Sequence, residues 1–562
     1  MMRFIIQLCR QVASDLDCAN LASSTSHRRM CAWRKLCLLA TMCACGSAHA
    51  AQAEPQFKPF VQTIDRIIVI NGDVFDLNNP KENKSLYRFA NRIHINTREE
   101  VIKEFLLFQP GDTLSMQKLA ESERILREQT FIHDASVTPI NVRPDKVDIL
   151  VKTRDNWSLS PGINLSREGG SNSKSVSFVE GNLLGYGKKL SMKRASDAER
   201  SSSAFEYSDP NILGTRHTLN SLYSYNSDGV DATLSFQKPF FSLAAQRAYG
   251  IDLHATELNE ELIDDNNDKY LVRHNKEEYK SFVGFSYNLT KIRSIRLTFG
   301  YTLNRDVVFP ASGNIALTES TDSYVWAGSE YLEDRYIKMQ RIRMLNQTED
   351  INLGHYASTR VGWSHENLGS DFNGVIFQGK YNYNAIIGAG ELFSQDISLD
   401  TKIHNNRIAE TVYSTEIRYY HLVSDDISNF YKLHLDLGRE LTEASEFFLG
   451  GDSGVRGYPL KLQSGDKRLV CNFERRYYTD LHILQLFYVA GLIFADVGRA
   501  WSVGDPNSGD QGILSDVGFG LRAASSRSST NNVIHLDVAF PMNRKESNLN
   551  EYQVVIKASG DF

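Results

Sequence analysis

Across roughly the last four hundred residues of the chain, apolar and polar side chains alternate one by one, and no helix-length apolar run interrupts them. Ile295, Leu297, Phe299, Tyr301 and Leu303 interleave with Arg296, Thr298, Gly300, Thr302 and Asn304. Val283, Phe285, Tyr287 and Leu289 repeat the pattern, as do Ile534, Leu536, Val538 and Phe540 against His535, Asp537 and Ala539. Successive side chains of a strand point to opposite faces, so this period of two predicts strands with one greasy and one polar face. It excludes a helical bundle and leaves a sandwich or a closed barrel. A helical membrane protein is also excluded, because a spanning helix needs ~20 apolar residues in a row.

Composition separates the two survivors. Of 562 residues 41% are apolar, below the ~45–50% usual for soluble domains, yet the chain holds 29 Phe and 25 Tyr. The aromatics cluster at strand ends, as Tyr419-Tyr420, Phe447-Phe448 and Tyr477-Tyr478, and the chain ends on Phe562. Lipid-facing strands with aromatic girdles have this profile, and in hydrocarbon such strands must close because an open edge has no water to pair with. The formal charge of −6 gives no basic excess for nucleic acid.

The N-terminus indicates export. Arg34-Lys35 precedes a short apolar run from Leu36 to Ala44, and Ala48-His49-Ala50 is an A-x-A cleavage pattern, so residues 1–50 read as a signal peptide, with Met30 an alternative start. The run is too short to anchor the chain. Neither Cys43, with Ala40 three before it, nor Cys45, with Met42, has the Leu-like neighbour of an acylated cysteine. Only Cys471 remains after the cut, so the exported chain must be stabilised by packing and ladder hydrogen bonds rather than disulfides.

Residues 60–153 follow a different regime. Alternation from Val61 into Ile68-Val69-Ile70 ends at the turn Asn71-Gly72-Asp73. Thr97 with Glu100 predicts a capped helix carrying Val101, Phe105 and Phe108, stopped by Pro110-Gly111. Ser115 predicts a second helix with Leu119, Ile125 and Leu126 on one face. Strands at 131–140 and 146–151 complete a β-α-α-β-β module.

The segment Gly450-Gly451-Asp452-Ser453-Gly454-Val455-Arg456-Gly457-Tyr458-Pro459 holds the densest motif. Its Gly-Asp-Ser-Gly is the surround of a serine-protease nucleophile, but Val455-Arg456 stands where Gly-Pro is needed and no upstream histidine motif supplies a base, so catalysis at Ser453 is rejected. No enzyme is expected. Asp264, Asn266 and Asp268 open like a calcium loop, but Lys269 and Asn275 occupy the essential Gly and Glu positions. The histidines show no zinc spacing, and neither metal nor cofactor is expected.

Read as a glycine-rich tip presenting one cation, Val455-Arg456-Gly457-Tyr458 resembles the loop of the BamA/TamA outer-membrane assembly superfamily, which includes two-partner-secretion transporters. Phe494-Ala495-Asp496-Val497-Gly498 is similar to its F-x-D-x-G strand, Glu474 falls where the preceding strand offers an acid, and the module at 60–153 resembles a POTRA domain. Phe494, Asp496 and Gly498 share one face by parity. If that face is the lumen, Arg456 can lie between Glu474, Asp496 and a phenyl ring, a setting that suits a planar guanidinium.

The resemblance implies a barrel of about 16 strands over 154–562, with eleven before the loop and five after, and the POTRA module in the periplasm. Five segments do follow the loop, at 469–478, 486–496, 515–524, 532–541 and 552–562, whereas alternation counts about sixteen before it, with the region near 336–352 a candidate loop. It further implies outer-membrane lipid and unfolded protein clients as partners, with possible accessory periplasmic proteins, assembly by strand templating at a weak first-to-last seam, and Phe562 as the C-terminal assembly signal. Gly560 would weaken that strand's packing. The alternatives are secretion of one dedicated client and a passive pore.

Overall fold

The computed structural model describes residues 62–197, 200–263, 269–310, 318–345, 347–404, 407–441, 446–502, 512–528, 533–543 and 550–559. The export signal, the 264–268 loop, Gly560 and Phe562 lie outside these residues.

The N-terminal unit is a three-stranded sheet of β1 (Thr63–Gly72), β2 (Ile132–Ile140) and β3 (Lys146–Asp155) in the order β1-β3-β2. β1 runs parallel to β3, which requires a crossover, and helices supply it. Among the described residues of this unit three α-helices are present where two were expected: α1 (Ser85–Ile93), α2 (Glu99–Glu104) and α3 (Met116–Arg127). α1 is the unexpected one: Leu86, Phe89, Ala90 and Ile93 follow helical spacing, yet this apolar stripe is largely exposed and only Tyr87 is fully buried. Ser115 caps α3 by accepting the Lys118 N–H. Thr97 is not the cap of α2. Its hydroxyl and N–H both donate to the Asp155 carboxylate, at 2.9 and 2.6 Å, because a charged acceptor outcompetes a helix end. Ile64, Ile102, Leu119, Leu126, Val147 and Ile149 form the buried core.

Beyond the unit, twenty strands from Leu159–Glu168 to Gln553–Ser559 close into one antiparallel barrel, four more than the expected sixteen. Fifteen precede the glycine-rich loop and five follow it, so the excess lies before the loop, where the alternation count came nearer than the analogy. One stretch of alternation is not wall. Tyr336–Met339 and Glu349–Asn352 pair only with each other, in a hairpin between the tenth strand (Thr318–Glu333) and the eleventh (His355–Ser364). The five later strands are Lys467–Ile483, Phe487–Trp501, Leu514–Ser525, Val533–Pro541 and Gln553–Ser559. Val283, Phe285, Tyr287, Phe299, Ile534 and Leu536 point outward and are exposed, while Ser294, Thr302, His535 and Asp537 are buried inside.

Closure is uneven. Neighbouring strands share at least seven registered residue pairs, the low value being shared by the second with the third and the nineteenth with the twentieth, but among the described residues the twentieth meets the first through the single pair Ile556 and Arg167. The N-terminal unit spans the adjoining mouth. Thr97 meets Asn182 (2.9 Å), Glu104 meets Asn211 (3.2 Å), Glu121 accepts the Leu243 N–H (2.7 Å) and Glu82 pairs with Arg527 (2.8 Å), each partner lying on a different turn of the barrel.

Candidate functional site

The loop after the fifteenth strand (Ile427–Arg439) opens on the side away from the N-terminal unit and folds back into the lumen. A short ladder between Phe447–Leu449 and Gln463–Gly465 forms its stem. Val455 and Tyr458 are fully buried with Leu449, Val470, Ala500 and Leu514, and the Tyr458 hydroxyl donates to the Ser515 carbonyl at 2.9 Å. These two apolar anchors flank Arg456 and fix where its side chain goes.

Arg456 is 9% exposed and lies among three carboxylates. Its Nε and Nη2 donate to the two oxygens of Asp496 at 2.7 and 2.9 Å, and Nη1 donates to Glu474 at 3.0 Å and to Asp537 at 3.4 Å. The guanidinium carbon sits 3.6 Å from the centroid of the Phe494 ring. The planar fork thus satisfies a carboxylate edge-on and a ring face-on at once, which a lysine ammonium cannot do.

Sheet register arranges the partners. Asn472, Asp496 and Asp516 are aligned across three strands, and two residues further on Glu474, Phe494 and Gly518 form the next inward row. Two more residues bring Gly520 opposite Asp537. Asn472 donates to Asp496 (2.7 Å) and to the Gly454 carbonyl (2.8 Å), while Arg476 and Arg522 each bond an acid that also holds Arg456. Glycine is required twice by close approach: a Cβ on Gly457 would meet the Asp516 Cβ at 2.8 Å, and one on Gly518 would meet the Phe494 ring at 2.3 Å.

The structure therefore brings Arg456, Glu474, Phe494 and Asp496 together. Gly498 stands apart from the cation, packed against Leu449 at the loop's stem. Ser453 closes a turn, accepting the Gly450 N–H at 2.7 Å. Asp516, Gly518, Arg522 and Asp537 escaped the sequence reading. For the first three the signal was Asp516-Val517-Gly518-Phe519-Gly520-Leu521-Arg522, where charges and glycines hold the inward parity of an otherwise apolar strand.

A second insertion reaches the same place from the other end. The hairpin after the tenth strand is tied to α3, where Arg127 donates twice to Asp350 (2.9 and 2.6 Å), Lys338 pairs with Glu123, and Arg124 lies over the Tyr336 ring. Its tip rises into the lumen, where the Ile342 carbonyl accepts from Arg476 (3.1 Å) and the Arg341 carbonyl from Tyr478 (3.0 Å). Leu345 packs in a cluster with Phe494, Leu492 and Tyr478. The ring that carries Arg456 thus belongs to the cluster that receives the hairpin tip.

A closed antiparallel barrel with an apolar exposed exterior and an arginine loop clasped inside its lumen has the architecture of an outer-membrane barrel. Residues 182–562 match the Omp85 superfamily domain, and the chain belongs to that superfamily. Among solved structures the fold is similar to BamA from Haemophilus ducreyi lacking POTRA domains 1–3, at 13% identity and a TM-score of 0.41, covering 89% of this chain and 84% of that one. It is also similar to CdiB from Acinetobacter baumannii, at 12% identity and 0.46, covering 89% and 74%, and to CdiB from Escherichia coli, at 10% and 0.39, covering 97% and 100%. No curated protein matches the sequence.

Proposed function

We propose that the protein assembles other outer-membrane barrels, with residues 60–153 acting as a periplasmic POTRA module and the first-to-last seam as the template. The observation that carries this reading is the seam. Among the described residues a single registered pair, Ile556 with Arg167, joins strands whose other neighbours are zipped along their length, so the first strand has backbone N–H and C=O groups to offer an incoming strand. Unpaired backbone groups in hydrocarbon are costly, which drives a client strand to pair there. A cleft of about 830 Å³ lies beside the seam, lined by Ile163, Leu165, Ile556 and Ala558. No nucleotide is needed. Arg456 and its partners hold the loop against the strands that lead to the seam, and Phe562 serves as the signal by which this chain is itself assembled.

Secretion of one dedicated client through the lumen is the second reading, favoured by the twenty-strand circumference, since barrel diameter grows with strand number. Depletion followed by comparison of the outer-membrane proteome separates the readings. Loss of several barrels supports assembly, loss of one secreted protein supports secretion, and an unchanged proteome overturns both. Locking the seam with Arg167→Cys and Ile556→Cys, in a Cys471→Ser background, should stop assembly until the disulfide is reduced.

A further inference from the structure

The exposed face of α1 is unusual for a water-soluble surface. Leu86, Phe89 and Ile93 are 64, 58 and 51% exposed and follow i, i+3, i+7 spacing, so three large apolar side chains share one face of a nine-residue helix. The opposite face fixes the helix in place. Tyr87 packs with Val74 and Phe75 and donates to the Leu484 carbonyl at 2.7 Å, and Asn91 bonds the Phe75 backbone. The stripe therefore cannot turn inward to escape water.

Its surroundings say what covers it. At one end Leu86 lines the seam cleft together with Ile163, Leu165, Ile534 and Ile556, outward side chains of the barrel's lipid belt. The turn that holds Tyr87 exposes Leu481 and Leu484. At the other end Ile95 adjoins Gly185 in a turn that holds Leu184 exposed in the left-handed region, at φ 54°, and the next turn on that side repeats this with Leu213 at φ 50°. Leucine resists that backbone conformation and gains nothing by facing water. The helix contains no acid, and Arg88 and Arg92 lie at i, i+4 along its flank behind the N-cap Lys84, cations suited to phosphate headgroups.

We propose that α1, with Ile95 and Leu184, is seated in the phospholipid leaflet beneath the seam, so that the N-terminal unit is itself a membrane-contacting element. The apolar belt of the barrel continues without a break onto the unit at the place where the wall is weakest. This goes beyond the assembly reading, and requires only that the barrel lie in a bilayer.

The test is spin-label accessibility in full-length protein carrying Cys471→Ser, in nanodiscs of phosphatidylethanolamine and phosphatidylglycerol. Labels at Phe89→Cys and Ile93→Cys should relax several-fold more with oxygen than with a water-soluble nickel chelate, whereas a label at Lys103→Cys, on an exposed face of α2, should show the reverse. Nickel access at 89 and 93 equal to that at 103 means water covers the stripe and overturns the proposal. Protection from both reagents means protein covers it and overturns the proposal equally. Because the measurement reads position, it can succeed or fail independently of the seam-lock result.

Discussion

Replacing Arg456 by lysine tests whether the clasp depends on geometry or on charge alone. Lysine retains the positive charge but loses the paired contact with Asp496 and the stacking on Phe494 at 3.6 Å. A hydrogen bond to a charged group contributes roughly 1.5–3 kcal/mol, and lysine forfeits at least one of the three contacts of 3.0 Å or less together with the ring contact, so the loop should be held about 3 kcal/mol less tightly. At about 1.4 kcal/mol per tenfold, that is on the order of a hundredfold in the opening equilibrium. Arg456→Ala should go further, by ~3–5 kcal/mol, because it leaves buried acids unpaired. The assay is amide hydrogen exchange of the detergent-solubilised protein, read at Gly457, whose N–H donates to Asp516 at 2.9 Å, and at Tyr458. Exchange in Arg456→Lys within about threefold of wild type, alongside release in Arg456→Ala, would falsify the geometric argument. Protection unchanged in both would mean the arginine does not hold the loop. Swapping charges with Arg456→Asp and Asp496→Arg should recover part of the protection lost in either single variant.

Three further outcomes are expected. Gly457→Ala should destabilise the loop by about 1–3 kcal/mol, since the new Cβ collides with Asp516, and limited proteolysis at 450–461 should become faster while the barrel stays folded. Arg127→Ala and Asp350→Ala should each raise the open probability of single channels in planar bilayers, with the double variant no worse than either single, because both break one tether of the lumenal hairpin. His133 titrates far below its ordinary value, pushed down to about 3 by burial and then by the nearby Arg154 and Arg527 charges. The unfolded chain takes up this proton near pH 6.5 while the folded one stays neutral, so His133 contributes full stability above that pH. The contribution falls by up to about 1.4 kcal/mol per unit as the pH drops toward 3. Urea unfolding of the N-terminal unit within the full chain should follow this slope, and His133→Gln should flatten it.

The outward parity of the wall was legible wherever a strand ran long enough to alternate, as at 295–303, because one face must meet lipid. The acids at Glu474 and Asp496 were named through the resemblance, by the motif around Asp496 and by the place of Glu474 on the preceding strand, and both do bond Arg456. Asp516 and Asp537 were not named: inward parity marks Asp516 as a lumen residue, but only strand register brings the two acids beneath Arg456. The strand count failed by analogy rather than by pattern. Alternation near 336–352 could not distinguish a wall strand from a hairpin withdrawn from the wall, since Ile337 and Ile351 bury apolar side chains in either case. α1 was missed although Leu86, Phe89, Ala90 and Ile93 carry the i, i+3, i+4, i+7 spacing of an amphipathic helix; it was passed over because the stretch is short and lies between the turn at 71–73 and the capping pattern at Thr97.

A wall of twenty strands encloses more cross-section than a narrower relative would need for one inserted loop. Here the surplus room is taken by the hairpin at 336–352, which enters from the end where the N-terminal unit sits and stops against the Phe494 cluster. Two plugs hung from opposite rims therefore abut at mid-depth. A continuous run of contacts leads from α3 through Asp350 and the Ile342 carbonyl to Arg476 and Glu474, the acid that also holds Arg456, so the two ends of the cylinder are joined through its interior.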